Sequence, residues 1–259
     1  MKLFSVLTII STVFCCYAEV INLTDADTWM PCGNVLFHND TATSTGKVFL
    51  RSKQIFNIDP AKKYSIKLSI VSKNVPATVY VAFLPLGKNN AELHTYSFQA
   101  HPNTLTQVAA DAKKGDNKII VRYGDHWKVR PASCVVKNAK ADNSDIPNSN
   151  YLTGELASSV KKGNLWELTF KTPLVSDVKA GSFIRQHING GYIYFGGRKN
   201  LTPKQEVVMQ GTITGRAAPG LYRNNQWPHN LQKAQLILLL DWTGKNAMIE
   251  IKDAALTIE

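Results

Sequence analysis

Alternation of apolar and polar side chains with a period of two runs through this chain and constrains its fold more than any other feature. Every second residue is apolar from Tyr64 to Ile70, and the same pattern holds from Trp166 to Phe170. Successive side chains of a β-strand point to opposite faces, so each run places its apolar residues on one face of a strand. Apolar residues at helical spacing with caps are absent from windows of about 11 residues or more. The sequence therefore predicts an all-β protein.

Other apolar runs are continuous, which is typical of strands buried on both faces. These runs are Val79–Leu84, Tyr192–Phe195 and Leu236–Leu240. Near the end of the chain, Ile249 and Ile251 alternate with polar residues, and the alternation then shifts phase to Leu256 and Ile258. One extra residue in a strand produces such a shift, so we expect a β-bulge at Asp253-Ala254.

The first 18 residues have the organisation of a cleavable signal peptide. Lys2 supplies a positive charge, and Leu3–Cys15 is an apolar stretch too short to anchor the chain in a bilayer. Cys16-Tyr17-Ala18 has the small-x-small character of a cleavage site, so we expect the mature chain to begin at Glu19. No later apolar run approaches the ~20 residues of a membrane-spanning helix. The sequence predicts a protein that is secreted to the periplasm, the cell surface or the extracellular space, with no transmembrane segment.

The mature chain is basic, with 29 Lys and Arg residues against 19 Asp and Glu residues and a formal charge of +10. The basic residues are scattered, and none of them belongs to a run of five. We interpret them as a solvated surface, with a mild attraction to acidic polymers or anionic envelopes as the alternative. A nucleic acid is not expected as a partner, because such a role conflicts with export.

Two cysteines remain after cleavage, Cys32 and Cys134. An oxidising compartment permits one disulfide between them, which would tie the N-terminal segment to the middle of the chain. Two buried free thiols are the alternative. The sequence contains no CxxC motif, so neither a zinc site nor a redox motif is indicated.

Turn-forming residues divide the mature chain. His101-Pro102-Asn103 and Asn189-Gly190-Gly191 bound a middle segment, residues 104–189, between the outer segments 19–103 and 190–259. Within the middle segment, Ala141–Tyr151 is polar and rich in asparagine, so we expect a surface loop there.

The outer segments carry three patterns that belong together. Phe56–Ile66 reads as a strand, a turn and a second strand, Trp29 lies near the mature start, and Ile249–Leu256 reads as a last strand. These patterns resemble jelly-roll sandwiches of the carbohydrate-binding-module and galactose-binding-like type. The resemblance implies one jelly-roll β-sandwich, residues 19–103 and 190–259, interrupted by residues 104–189. In that insert, Gly115–Val121 followed by Trp127 looks like the small β-barrel modules of secreted proteins, which implies a small β-barrel-like subdomain.

The segment Arg216–Lys233 combines aromatic, amide and basic side chains between two strand-like runs. Sugars are bound by such mixtures, because aromatic faces pack on the C–H side of a pyranose ring while amides and arginine bond its hydroxyls. We expect Trp227 and Tyr222 to be stacking platforms. The expected hydrogen-bonding residues are Arg223, Asn225 and His229. The alternative is that Trp227-Pro228 plugs the end of the sandwich.

Oxygen ligands for a structural calcium ion are a further hypothesis. Jelly rolls of the resembling type often hold one where the first and last strands meet, and Asp253 with Asp25 or Asp27 occupies that place in the sequence. Calcium requires six to eight oxygens, and no dense acidic cluster is present, so a plain turn or bulge aspartate is the alternative. The sequence indicates no other cofactor.

These observations predict a secreted, non-catalytic protein that binds a glycan or an envelope polysaccharide. One alternative is a structural or assembly protein of the cell surface without a small ligand. A polysaccharide-active enzyme is the other alternative, although we expect no enzyme. An extended face with exposed aromatics would favour glycan binding, a flat apolar patch would favour assembly, and two carboxylates ~5–10 Å apart in a cleft would favour the enzyme.

Overall fold

The computed structural model describes residues 18–259, which form antiparallel strands and two short 3-10 turns, Ala26–Thr28 and Thr95–Ser97. The strands are β1 (Glu19–Asn22), β2 (Val35–His38), β3 (Thr41–Thr45), β4 (Val48–Asn57), β5 (Tyr64–Ser72), β6 (Ala77–Leu86), β7 (Thr106–Gln107), β8 (Lys118–Val121), β9 (Ser133–Lys137), β10 (Tyr151–Thr153), β11 (Leu156–Lys162), β12 (Leu165–Phe170), β13 (Phe183–Ile188), β14 (Ile193–Leu201), β15 (Glu206–Ile213), β16 (Lys233–Leu240) and β17 (Met248–Ile258). The prediction of an all-β protein is confirmed. Within this range, no helix is long and apolar enough to cross a membrane. Apart from Ala18, the predicted signal peptide lies outside the described residues.

Two antiparallel sheets are built from the strands on either side of the middle segment. One sheet has the order β15-β5-β17-β3-β2, with β1 also paired to β17, and the other has the order β14-β6-β16-β4. Both β16 and β17 therefore lie inside a sheet, with a strand on each side, although they are the last two strands of the chain. Two sheets that face each other across one core form a β-sandwich.

Alternate side chains of these strands point into the core between the two sheets. Val81 and Phe83 of β6 and Leu238 of β16 point inward from the four-stranded sheet, and Leu68 of β5 and Ile251 of β17 point inward from the six-stranded sheet. Each of these side chains is at most 1 % exposed. Burial of such apolar surface stabilises the sandwich by roughly 1.5–3 kcal/mol for each large side chain.

The sequence patterns locate the main strands of the sandwich correctly. The alternating run from Tyr64 lies in β5, and the continuous apolar runs lie in β6, β14 and β16. The predicted bulge is also confirmed, because the pairing of β17 with β5 shifts register between Lys252 and Ala255. Asp253 has a positive φ of 45° at this point, as expected for the extra residue of a bulge.

The middle segment forms two further antiparallel sheets, of order β10-β9-β13-β7 and β11-β12-β8, with a core of their own. Val135 and Leu168 are among its fully buried side chains, whereas Trp166 is only partly buried against it. The expectation of a β-barrel-like subdomain is corrected here. The two sheets stay separate, since an isolated bridge between Val108 and Val121, and no continuous ladder, joins β7 to β8.

The polar stretch Ala141–Tyr151 is an irregular loop that leads to β10, as expected, and most of its residues are exposed or half-buried. Ile146 departs from this expectation, since it is 1 % exposed and belongs to the sandwich core. The Asn230 side-chain amide donates a hydrogen bond to the Ile146 carbonyl at 3.0 Å. The backbone N–H of Asn148 donates to the Ser97 carbonyl at 2.8 Å. The stretch is therefore anchored to the sandwich at Ile146 and at Asn148.

A buried charged network lies beside this junction. The guanidinium of Arg185 in β13 forms an ion pair with Asp145 at 2.7 Å, and the two side chains are only 3 % and 5 % exposed. Arg185 Nε–H also donates to His187 Nε2 at 2.9 Å. The other ring nitrogen, His187 Nδ1, donates to the carbonyl of Tyr96 in the sandwich at 2.5 Å. The network therefore links β13 to the last turn before the middle segment.

Acidification is expected to weaken this junction. Burial, together with the positive Arg185, lowers the pKa of His187 from 6.5 to about 4. The unfolded chain takes up this proton below about pH 6.5, whereas the folded chain does not until about pH 4. Stability is therefore fully present above pH 6.5 and falls between pH 6.5 and 4, by about 3 kcal/mol in total. Chemical denaturation across this pH range measures the loss, and an NMR titration in which the His187 ring protonates near pH 6.5 would contradict the prediction.

Candidate functional site

The outer face of the four-stranded sheet β14-β6-β16-β4 is unusually apolar. Side chains that alternate with the core residues point outward here, and Ala82, Leu84, Ile237 and Leu239 among them are at most 2 % exposed. An outward residue of a sheet is covered only when other groups lie across it. Larger side chains of the same face supply this cover.

Five aromatic side chains pack on this face and form what we name the aromatic face. They are Phe49 in β4, Tyr80 in β6, Tyr192 just before β14, Tyr194 in β14, and Trp242 after β16. All five residues are half-buried, so part of each residue is accessible to solvent. The aromatic face is therefore a supported apolar platform on the surface of the sandwich.

Ring-to-ring contacts make the aromatic face continuous. Phe49 and Tyr192 come from opposite edges of the sheet, yet their rings are stacked with centroids 6.0 Å apart. Trp242 extends the row beyond Phe49 at 6.4 Å. Tyr194 lies 6.2 Å from Tyr192 and 5.4 Å from Tyr80, which completes the row. Such offset and tilted pairs stabilise one another by about 0.5–1.5 kcal/mol each, which favours a fixed arrangement of the rings.

A glycine in β14 gives Tyr80 its place. Gly197 is paired with Tyr80 across the ladder, and a Cβ atom at Gly197 would lie only 2.2 Å from the Tyr80 ring. The ring therefore lies over the neighbouring strand instead of standing away from the sheet. Because only glycine has no Cβ, Gly197 is required for the flat orientation of Tyr80.

Charged groups border the aromatic face. The guanidinium of Arg51 lies 5.0 Å from the centre of the Phe49 ring and forms an ion pair with Glu92. At the other end, Lys47 Nζ lies 4.1 Å from the centre of the Trp242 ring. Burial raises the pKa of Tyr194, so its phenol stays protonated at neutral pH. The site combines flat apolar rings with hydrogen-bonding groups at its borders.

The expectation that Trp227 is a stacking platform is corrected by the structure. Its side chain is 0 % exposed and belongs to the sandwich core. The ring packs edge-on against Tyr64 at 4.9 Å and lies 5.0 Å from Phe83. A ring without an exposed face cannot stack on a sugar. The alternative interpretation is therefore the correct one: Trp227 fills the end of the sandwich core.

The other residues expected in the segment Arg216–Lys233 do not converge on one site. The Tyr222 hydroxyl donates a hydrogen bond to the Tyr192 carbonyl, and burial raises the pKa of that hydroxyl. The Tyr222 side chain thus helps to hold the backbone of Tyr192, whose ring belongs to the aromatic face. Arg223 and Asn225 are exposed and His229 is half-buried, and none of the three packs on the aromatic face.

A separate cleft of about 350 Å³ lies where this segment meets the middle segment. Gly220 and Leu221 line one side, and His101, Lys140 and Arg185 line the other. The Arg185 guanidinium there is already bonded to Asp145, so its charge is offset within the protein. The cleft therefore offers less for ligand recognition than the aromatic face does.

The aspartates of the calcium hypothesis are engaged in local structure. The Asp25 carboxylate accepts the backbone N–H of Asp27 at 2.8 Å and caps the first 3-10 turn. Asp253 occupies the bulge of β17 and lines a different depression from Asp25. Residues 18–259 contain no group of three or more His, Cys, Asp or Glu side chains placed to hold a metal ion. Asp27 is paired with Lys53 at the surface, so Asp253 with either Asp25 or Asp27 does not supply the six to eight oxygens that calcium requires.

Cys32 and Cys134 are both free thiols in the structure. Cys32 packs against the sandwich core, whereas Cys134 lies in β9 of the middle segment, opposite His187. Burial raises the pKa of the Cys134 thiol to about 12, so it stays protonated and unreactive. The structure therefore agrees with two free thiols and not with a disulfide between Cys32 and Cys134.

The aromatic face, with Arg51, Glu92 and Lys47 at its borders, is thus the candidate site that the geometry defines best. Comparison of the chain with protein-family models, with curated proteins and with solved structures finds no match.

Proposed function

We propose that this chain is a secreted, non-catalytic protein that binds a glycan or an envelope polysaccharide on the aromatic face. The single observation that carries the proposal is the continuous row of five half-buried rings across the four-stranded sheet. Pyranose rings have flat C–H faces that pack on aromatic rings. A row of rings on a sheet suits an extended saccharide better than a single small molecule.

Polar groups at the borders of the row support the same proposal. The hydroxyls of a sugar require planar donors and acceptors beside the apolar surface, since each hydroxyl both donates and accepts. Arg51 and Glu92 supply a guanidinium and a carboxylate next to Phe49. The hydroxyl of Tyr80 adds a group that can do both.

The finer architecture belongs to the same proposal. We take the sandwich, residues 19–103 and 190–259, to be a jelly roll, with residues 104–189 as an inserted β unit. Two separate hydrophobic cores support this division, because one draws on strands outside 104–189 and the other on strands within it. Ile146 is the exception, since it reaches from the inserted unit into the sandwich core.

Replacing Trp242 with alanine is expected to weaken glycan binding about thirtyfold, because truncating a central aromatic contact costs ~2 kcal/mol or more. Trp242 is half-buried and lies outside the sandwich core, so the variant should remain folded. To find a bound polysaccharide, the full chain is expressed and applied to a printed polysaccharide array. The array carries cellulose, xylan, mannan, galactan, polygalacturonate and chondroitin sulfate. Titration calorimetry with that polysaccharide then measures the loss.

Trp166→Ala is the matched control, because Trp166 is also a half-buried tryptophan but lies in the middle segment. This control should bind as the unaltered protein does. Trp242→Leu is the second variant, which keeps apolar cover over the sheet and removes only the flat ring. Unchanged binding by a folded Trp242→Leu protein, or no binding to any polysaccharide on the array, would overturn the proposal.

A further inference from the structure

Four basic residues lie at one end of the four-stranded sheet. They are scattered in the sequence, but the start of β4 and the ends of β14 and β16 lie at the same end of the sheet. The pairing of Leu240 with Val48 and of Leu201 with Ala77 shows this arrangement. The backbone N–H of Trp242 donates to Thr78 there, which places the Trp242 ring at this end. The four residues, which we name the basic end, are Lys47, Arg198, Lys199 and Lys245.

The charges of the basic end are not neutralised by the protein. All four side chains are exposed, and none forms an ion pair with any residue in the range 18–259. The acidic residue of this turn, Asp241, is fully buried and accepts the backbone N–H groups of Lys245 and Ala247 at 3.1 and 3.0 Å. Its carboxylate is thus held by the backbone. The basic end thus presents four cations to solvent at the end of the sheet where Trp242 lies.

Lys47 joins the basic end to the aromatic face. Its ammonium lies over the Trp242 ring at 4.1 Å, where a cation is attracted to the ring face. A saccharide that packs on Trp242 must therefore lie next to this ammonium. An anionic group on that saccharide would gain an ion pair there, whereas a neutral saccharide would only displace the lysine.

We infer that the polysaccharide bound on the aromatic face is anionic and carries carboxylate or sulfate groups, which the basic end binds. This inference rests on the proposed function and specifies its ligand class. The other border of the aromatic face is consistent with it, because the one acidic side chain there, Glu92, is already paired with Arg51. Binding should also weaken as salt is raised, because exposed charges are screened over about 10 Å at 0.1 M salt.

The test compares polymers that share a sugar backbone and differ in whether it carries charged groups. Polygalacturonate is measured against its methyl ester, and dextran sulfate against dextran, by affinity electrophoresis of the full-length expressed protein. The unaltered protein should be retained by at least one charged polymer and not by its neutral counterpart. Replacing all four residues of the basic end with glutamine should weaken that retention about tenfold.

A control variant of equal net charge separates this site from general attraction to a basic protein. It carries glutamine at four exposed lysines of the middle segment, Lys114, Lys128, Lys161 and Lys162, which form no ion pair with any residue from 18 to 259. This control should be retained as the unaltered protein is.

Each remaining outcome has one meaning. Retention by polygalacturonate alone would show that the basic end recognises carboxylates, and retention by dextran sulfate alone would show that it recognises sulfates. Retention by both would show that it accepts either anionic group. Equal retention by the charged and neutral polymers, or equal weakening in the control variant, would overturn the anionic inference and leave glycan binding intact. Retention by no polymer, with an empty array, would overturn the proposed function itself. A further outcome is a protein that binds no polymer but sediments with phosphatidylserine vesicles, and that loses this sedimentation when the basic end is replaced with glutamine. That result would show that the basic end binds a membrane surface, and it would overturn the inference.

Discussion

Replacing Trp227 with alanine is expected to lower the free energy of unfolding by about 3–5 kcal/mol. Trp227 is completely buried, and its ring fills the end of the core between Tyr64 and Phe83. Truncation to a methyl group would leave a cavity that these neighbouring rings, held by their own strands, cannot close. A stability loss of this size is a large part of the 5–15 kcal/mol that stabilises a typical domain.

Trp227→Phe is the matched control for this experiment. Phenylalanine keeps most of the aromatic packing, and it removes an indole N–H that has no hydrogen-bond partner in the structure. A buried, unpaired N–H destabilises the folded state, so part of the lost packing is compensated. Denaturant titration of the two variants should show a much smaller loss for Trp227→Phe. Equal stability of Trp227→Ala and the unaltered protein would show that the ring is not part of the core.

Removal of the Asp145 carboxylate by alanine is the other change with a large expected effect, a loss of about 3–5 kcal/mol. The partner guanidinium of Arg185 is buried and would keep its charge without a counter-ion. Asp145 also accepts the backbone N–H of Lys140 at 3.0 Å and the Asn148 amide at 2.8 Å, so two donors would lose their partner. Thermal and denaturant unfolding measure the change.

Two comparisons test the reason for that loss. Asp111→Ala removes a carboxylate from an exposed ion pair with Lys179, and it should leave the unfolding transition unchanged within error. Combining Asp145→Ala with Arg185→Met should cost clearly less than the sum of the single changes, because the uncompensated charge is then absent. Strict additivity of the two changes would contradict a coupled buried pair.

Strand positions could be predicted from this sequence because they depend on local periodicity. The alternating run that begins at Tyr64 and the phase shift near Asp253 are properties of consecutive residues, and the structure has β5 and the β17 bulge at these positions. The continuous apolar run Leu236–Leu240 predicts a strand covered on both faces, and β16 is covered in this way. The same prediction is wrong for Tyr192–Phe195, because Tyr192 and Tyr194 are only half-buried on the outer face.

The candidate site could not be predicted in the same way, because it is assembled from different strands. Phe49 and Tyr192 are far apart in the chain and meet across the width of a sheet. Composition pointed instead to the segment around Trp227, where aromatic and amide residues are close in sequence. Composition does not show which way a side chain points, and Trp227 points into the core. The signal that could have found the site is the pair of aromatic residues Tyr192 and Tyr194, whose spacing of two in an extended chain predicts that both point to the same face.

The place of β16 and β17 within their sheets sets the order in which this chain can fold. Each is a central strand, yet during synthesis β16 emerges only after fifteen other strands and β17 only after sixteen. Strands β4 and β6 cannot be joined until β16 arrives between them, and β3 and β5 must wait in the same way for β17. Pairings between residues so distant in sequence make folding slow. A growing chain of this topology therefore remains open through most of its translation, and it closes in a late, concerted step.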